Sequence, residues 1–286
     1  MAGQLQITPT DATLGAVVTG LDVAELDDAT ARALVDAFHE HAVLILPDQH
    51  PTSEAQIAFG KLFGAIEHLY ADKEIVAISN KREDGTLYGE DEHRAQVLRG
   101  NEGWHTDSSY MPMAAKASVL SARVLPDSGG ETEWADMRAA YDALDDAMKD
   151  RIAGLAAYHS LYHSQAKIGH KAEEGASYGF HNDTPPLRPL VKRHPVTGRP
   201  ALYIGRHAYG IPGLSEAESE ALLDELVTFA CQPPRTYEHT WRPGDMVIWD
   251  NRCVLHRARP YDRRQARVMM HVRIRGEEPS ELALSA

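Results

Sequence analysis

A chain of 286 residues with 42 acidic and 29 basic side chains has a formal charge of −13 at pH 7, which repels nucleic-acid phosphates and anionic membrane surfaces, so neither is expected as a partner. Hydrophobic residues at 43% and charged residues at 25% are the make-up of a globular protein with room for a substantial core. Two cysteines, Cys231 and Cys253, exclude a disulfide framework; with no apolar run of bilayer length and no signal peptide visible in residues 1–8, a cytoplasmic protein is expected.

In chain order, residues 4–7 and 15–23 are expected as short strands separated by turn residues. Asp28–His41 reads as a helix, because Ala31, Leu34, Val35 and Phe38 recur at helical spacing. Val43–Leu46 is a short apolar strand stopped by Pro47. Ser53 and Gln56 have the form of a capping box ahead of Ile57, Phe59, Leu62 and Phe63, which predicts a second helix. Residues 75–79 form another expected strand. The stretch 81–102 is highly charged, aperiodic and broken by Gly85, Gly89 and Gly100. It predicts a long loop, and since it runs into Trp104-His-Thr-Asp107 it is expected to act as a lid. A helix is predicted from Asp136, with Met137, Ala140, Tyr141, Leu144, Met148, Ile152 and Leu155 on one face. A second loop, 165–186, precedes a hairpin of 189–193 and 201–205 around Thr197-Gly198. Ser215 and Glu218 make another capping box before Leu222, Leu223, Leu226, Val227 and Phe229. The remainder alternates strand and turn at 237–241, Pro243-Gly244, 246–249 and 266–275. Many short strands, few helices and no linker predict one domain over residues 1–286, mainly β with flanking helices around a double-stranded β-helix (jelly-roll) core.

Of the 15 histidines, His39, His41, His50, His93, His170 and His239 sit in polar or turn contexts and are expected to be solvated. His105-Thr-Asp107 is different. Side chains at i and i+2 of a strand share a face, which sets an imidazole nitrogen beside a carboxylate oxygen. A distant histidine completes a 2-His-1-carboxylate facial triad, which holds iron and leaves positions open for a chelating cosubstrate and O2. Alone, the pair is a weak signal, better explained by a strand-end histidine bonded to a neighbouring carboxylate. His256 supplies the third ligand, presented by a polar turn after the apolar strand at 246–249. Beyond it, Val268, Met270, Val272 and Ile274 alternate with Arg267, Met269, His271 and Arg273. Cationic side chains facing a barrel interior are expensive without an anionic partner. A dicarboxylate such as 2-oxoglutarate fits, since guanidinium grips carboxylate through two parallel hydrogen bonds. An edge strand with a solvated polar face is the alternative.

These segments resemble the taurine dioxygenase and dichlorophenoxyacetate dioxygenase family. The likeness runs from Leu14-Gly-Ala-Val-Val-Thr-Gly-Leu-Asp22 and Phe59-Gly-Lys-Leu-Phe-Gly64 through Trp104-His-Thr-Asp107 and Gly129-Gly-Glu-Thr132 to Trp249-Asp-Asn251, His256-Arg-Ala258 and Arg267. It implies a dioxygenase dependent on Fe(II), 2-oxoglutarate and O2, with iron on His105, Asp107 and His256. It further implies that Thr132 donates a hydrogen bond to 2-oxoglutarate, that Arg267 pairs with its distal carboxylate, and that Asn101 and His68 lie on the substrate side. Where taurine-type members carry a second arginine, four positions after Arg267, this chain has His271, with Arg273 two further on; taurine is therefore disfavoured. Matches at 136–144, 186–192, 204–208 and 249–253 resemble instead the aryloxyalkanoate branch, especially its (S)-selective members. The expected substrate is a small anion, an (S)-2-aryloxypropionate, cleaved to a phenol and a 2-keto acid while 2-oxoglutarate gives succinate and CO2. Arg206, Arg273, His271, His68 and Asn101 are the candidates for holding it. The alternatives are the same chemistry on a sulfonate, a sulfate ester or another carboxylate, and a non-catalytic metal-binding protein of cupin-like shape. A homo-oligomer is expected.

Overall fold

The structure, a computed structural model, describes residues 4–69, 73–180 and 184–284. Its first half contains β1 (Gln6–Pro9), β2 (Ala16–Thr19), α1 (Asp28–His41), β3 (Val43–Leu46), α2 (Ser53–Lys61) and β4 (Val76–Ser79). These are followed by α3 (His93–Gly100), β5 (Ala117–Val124), β6 (Thr132–Asp136), α4 (Met137–Ala143) and α5 (Asp146–Ile152). The second half contains β7 (Ala156–His159), α6 (Leu161–Ala166), β8 (Leu187–Pro189), β9 (Val191–Arg193), β10 (Pro200–Leu202) and β11 (Ala208–Tyr209). It ends with α7 (Glu216–Ala230), β12 (Thr236–His239), β13 (Met246–Asp250), β14 (Val254–Ala258) and β15 (Val268–Ile274).

The principal sheet has seven strands in the order β1-β2-β3-β13-β5-β15-β4. Its central strands read as apolar runs because both faces are covered. On one face, Leu34 and Phe38 of α1 and Phe59 of α2 pack against Leu44, Leu46, Val119, Ile248, Val272 and Ile274. The opposite face contributes Ile45, Leu120, Val247, Trp249 and Met269 to a second cluster, with Trp134, Ala135 and Leu255 from the three-stranded sheet β12-β6-β14. The protein is thus mainly β with helices outside, and two sheets supply the walls of the cavity described below. α1 starts where the Asp27 carboxylate accepts from the Thr30 N–H, and it ends at Ala42, which turns left-handed at φ 62° and delivers the chain straight into β3.

Several expectations need correction. No element is expected at 117–124 or 132–136, yet these are β5 and β6. Ser118 and Ser121 break the apolar pattern of β5 and are nevertheless fully buried, because their hydroxyls are bonded to distant side chains. The loop at 81–102 ends in α3, which buries Ala95 and Leu98; no side chain caps its start, so no start signal was there to read. The helix expected from Asp136 is broken in two, since Asp145 accepts from the Met148 N–H and caps a new start. The capping box at Ser53 does not form. Thr52 is the cap, and Gln56 turns inward to donate to the Val119 and Met270 carbonyls and accept from Ser121. The box at Ser215 and Glu218 does form. Of the histidines expected in solvent, only His50 is exposed; His170 is buried against His93 and Gln165. Residues 181–183 of the second loop and 1–3 of the N-terminal stretch lie outside the described residues.

His159, in β7, is fully buried and neither ring nitrogen has a hydrogen-bond partner among the described residues. Burial therefore pushes its pKa well below the ordinary 6.5. Below that pH the unfolded chain binds a proton that the folded chain refuses, so stability is full above 6.5 and falls with acidification. His159→Phe should flatten the dependence of Tm on pH between neutrality and about pH 5. Parallel melting curves for wild type and variant would show that the imidazole is not held neutral.

Candidate metal centre and its cavity

His105 and His256 face each other across a single antiparallel bridge. The His105 N–H donates to the His256 carbonyl at 3.0 Å, and the reverse bond is 2.8 Å. This exchange sets the two rings 4.1 Å apart. Asp107 lies in the turn after the bridge rather than on a continuing strand, but the two-residue spacing still delivers its carboxylate to the same point. One ligand atom from each of His105, Asp107 and His256 lies within 4.8 Å of the others, and all three residues are buried.

The protonation states suit a cation. His105 Nδ1 is 2.7 Å from the Gly103 carbonyl, which can only accept, so Nδ1 carries the hydrogen and Nε2 is left as the ligand. Burial, and then the neighbouring His256, push His105 down to about 3; burial pushes His256 down to about 4. Burial alone would raise the Asp107 carboxyl, but the Arg273 guanidinium and the surrounding histidines hold it well below the usual carboxylate range. Two neutral imidazoles and one ionised carboxylate, buried and convergent, fit a divalent metal ion. A second cluster, His194, Asp250 and Cys253, does not. Its carboxylate is engaged by Arg252 at 2.8 and 2.7 Å and by His194 at 2.9 Å, and burial pushes the Cys253 thiol up.

Arg267 and Thr132 line the same cavity as His105, Asp107 and His256. Arg267 is buried, and its Nε and Nη2 donate to the Gly130 carbonyl at 3.2 and 2.9 Å. No acidic side chain among the described residues pairs with it, and burial pushes it down to about 10. Gly130 must be glycine here: it is left-handed at φ 75°, and a Cβ would lie 2.9 Å from Arg267 Nε. The Thr132 hydroxyl accepts from Trp241 Nε1 at 2.9 Å, which leaves its own hydrogen to donate.

The substrate-side expectations fare unevenly. Asn101, at the end of α3, lines the cavity, and its carbonyl ties the helix to Ala258 of β14. His271 also lines it, stacked on Trp249 with Nδ1 unpartnered among the described residues. Arg206 lines it too, but its guanidinium is fastened to the Gly100 and Ser164 carbonyls at 2.5 and 2.8 Å, joining α3 to α6. Arg273 is committed to the metal site: Nη2 donates to Asp107 Oδ1 at 3.1 Å and Nη1 to Ser108 Oγ at 2.9 Å. His68 is exposed, and its neighbour Leu69 lines the cavity instead. Its segment is irregular, so no periodicity could indicate a direction. Tyr178, not singled out from sequence, lines the cavity and bonds Glu67 and Ser108; its place in the Gly-rich second loop was the available signal.

A β scaffold that closes two histidines and one carboxylate on a buried point, with a guanidinium in the same cavity that pairs with no acidic side chain among the described residues, has the arrangement of a mononuclear metal enzyme acting with an anionic small molecule. The chain belongs to the taurine catabolism dioxygenase TauD, TfdA family, whose model matches residues 6–273. It is 55% identical to an (S)-phenoxypropionate/alpha-ketoglutarate-dioxygenase of Sphingobium herbicidovorans, with 100% of both chains covered. The protein of the same name from Delftia acidovorans is 52% identical over 98% of each. A crystal structure of AAD-2 in complex with Mn(II) and N-oxalylglycine matches with a TM-score of 0.89 and 39% identity, over 97% of this chain and 98% of that one.

Proposed function

We propose that this protein is an Fe(II)- and 2-oxoglutarate-dependent dioxygenase that cleaves an (S)-2-aryloxypropionate to a phenol and a 2-keto acid. Oxidation adds a hydroxyl at the carbon bearing the ether oxygen; the resulting hemiketal expels the phenol, while 2-oxoglutarate is converted to succinate and CO2. The observation that carries the reading is Arg267, a buried cation without an acidic partner among the described residues, in one cavity with His105, Asp107 and His256. A bare metal binder has no use for it. In this reading His105, Asp107 and His256 hold the iron, which when bound supplies the redox chemistry of O2 activation. Arg267 grips the distal carboxylate of 2-oxoglutarate and Thr132 donates to the same molecule. His105 and His256 stay neutral, each keeping one ring nitrogen unprotonated for the metal, and Arg273 offsets the Asp107 charge. α3 and the Tyr178 loop exclude water from the reacting atoms.

Asn101, Arg206 and His271 remain as groups for the substrate carboxylate, with the Arg273 Nε–H, which has no partner among the described residues. The seven-stranded and three-stranded sheets support a double-stranded β-helix of one domain over 1–286. A cytoplasmic homo-oligomer without nucleic-acid or membrane partners completes the reading. The charge of −13 supports the part of it that concerns nucleic acid and anionic membrane surfaces; among the described residues no helix is long and apolar enough to cross a membrane.

With carboxylate and ring both fixed, one enantiomer directs its C2 hydrogen at the metal and the other presents its methyl group. A misplacement near 1 Å lowers rate by about a hundredfold. Phenol release from each pure enantiomer at saturating 2-oxoglutarate should therefore favour (S) by about that factor. Equal rates would remove the selectivity, and sulfite from taurine without phenol would move the substrate to the sulfonates.

A further inference from the structure

We infer that Ser118 and Asn251 are positioning residues that orient the Asp107 carboxylate for the metal, an inference that rests on the metal reading above. Ser118 is fully buried in the middle of β5, where an apolar side chain would ordinarily be cheaper. Its Oγ donates to Asp107 Oδ2 at 2.6 Å. The hydroxyl has one hydrogen, and its direction is set from behind: Asn251 Nδ2 donates to Ser118 Oγ at 3.1 Å.

Asn251 cannot flip. Its Oδ1 accepts from the Trp249 indole N–H at 3.0 Å and from the Asp107 backbone N–H at 3.3 Å. Rotating the amide would set its NH2 against both donors. Its backbone is pinned as well: the carbonyl accepts from Thr106 Oγ1 at 2.7 Å and the N–H donates to Lys116 O at 3.0 Å. The donor chain therefore runs one way, from Asn251 to Ser118 to Asp107.

Strand register puts these groups in a row. Ser118 is paired with Trp249 of β13 on one side and with Arg273 of β15 on the other. Ser118 and Arg273, cross-strand neighbours, donate to different oxygens of the same carboxylate. A donor on each oxygen fixes the rotation of the carboxylate, and leaves Oδ2 3.8 Å from His256 Nε2, turned to the point where a cation would sit. Ser118 and Asn251 touch neither substrate nor cosubstrate sites directly; they act through Asp107.

The test is Co(II) binding to the metal-free protein, with no cosubstrate or substrate present, in wild type, Ser118→Ala and Asn251→Ala. Tryptophan fluorescence reports it, since the Trp249 ring lies 4.7 Å from that of His256. Loss of such outer-sphere partners typically weakens metal affinity by about 10–100-fold. Ser118→Ala should show that loss with a changed Co(II) visible spectrum and a melting temperature of the metal-free protein near wild type. Unchanged affinity and spectrum in Ser118→Ala would overturn the inference. So would weaker binding that tracks a lowered melting temperature in both variants, which would make the role structural. Equal Co(II) binding by wild type and Asp107→Ala would instead remove the metal site itself, a distinct failure.

Discussion

Asp107→Ala is expected to abolish turnover and to reduce metal binding below detection, and it should also destabilise the metal-free protein. The first two effects follow from losing the only anionic ligand. The third follows from Arg273, which is 7% exposed and whose carboxylate partner is Asp107 Oδ1 at 3.1 Å. Truncating one partner of a buried pair leaves an uncompensated charge, at a cost of about 3–5 kcal/mol. Asp107→Asn separates the effects, because the amide oxygen can still accept from Ser118 or Arg273 while the ligand charge is gone. It should unfold at a denaturant concentration closer to wild type and remain as inactive as the alanine variant. The measurements are urea unfolding of the metal-free proteins, Co(II) titration and phenol release. Normal activity in Asp107→Ala, or in thoroughly chelated wild type, would show that these residues do not hold the catalytic metal.

The sequence and the structure agree best where chemistry restricts residue type. His105, Asp107 and His256 can be picked out because few arrangements put two imidazoles and a carboxylate together for another reason. Arg267 stands out because it opens the polar–apolar alternation that continues through β15, a strand paired on both sides from Val268 onward. The pattern of β15 correctly separates its faces, with Val272 and Ile274 against the helices and His271 and Arg273 toward the cavity. It does not say which neighbours wait there: Arg273, expected on the substrate side, also has a carboxylate partner in Asp107. Ser118 shows the converse difficulty. Its partners are 11 and 133 residues away, so locally it looks like a gap in hydrophobicity and hides both a central strand and a member of the site. α3 was hidden similarly, since charged residues on its outer face mask a short buried stripe.

Net charge and site charge have opposite signs in this protein. The chain carries −13, yet Arg206, Arg267 and Arg273 all line the cavity, and of these three only Arg273 is in an ion pair with a carboxylate among the described residues. Cationic side chains gathered in a cleft concentrate positive potential on anions small enough to enter, whatever the sign of the net charge. This division allows a strongly acidic protein to select small carboxylates.

Arg267→Ala tests the cosubstrate end of that cavity. A desolvated ion pair with the distal carboxylate, once truncated, loses about 2–5 kcal/mol, so the concentration of 2-oxoglutarate needed for half-maximal succinate formation should rise by between about thirty-fold and several thousand-fold. In contrast to Asp107→Ala, the ligand-free protein should not be strongly destabilised. Among the described residues Arg267 has no acidic partner to be orphaned; the Gly130 carbonyl loses its donors and the Tyr261 ring a cation. Since Arg267 acts on the end of the cosubstrate remote from the metal, kcat at saturating 2-oxoglutarate should be largely retained, the pattern of lost uniform binding. Arg267→Lys should recover only part of the affinity: an ammonium meets the carboxylate as a point charge and lacks the planar fork that also serves Gly130. Titration of 2-oxoglutarate into the Co(II)-loaded variants, followed by calorimetry, separates binding from turnover. Unchanged affinity in Arg267→Ala would transfer the role to another cavity cation, and Arg206, with no carboxylate partner among the described residues, would be the first to test.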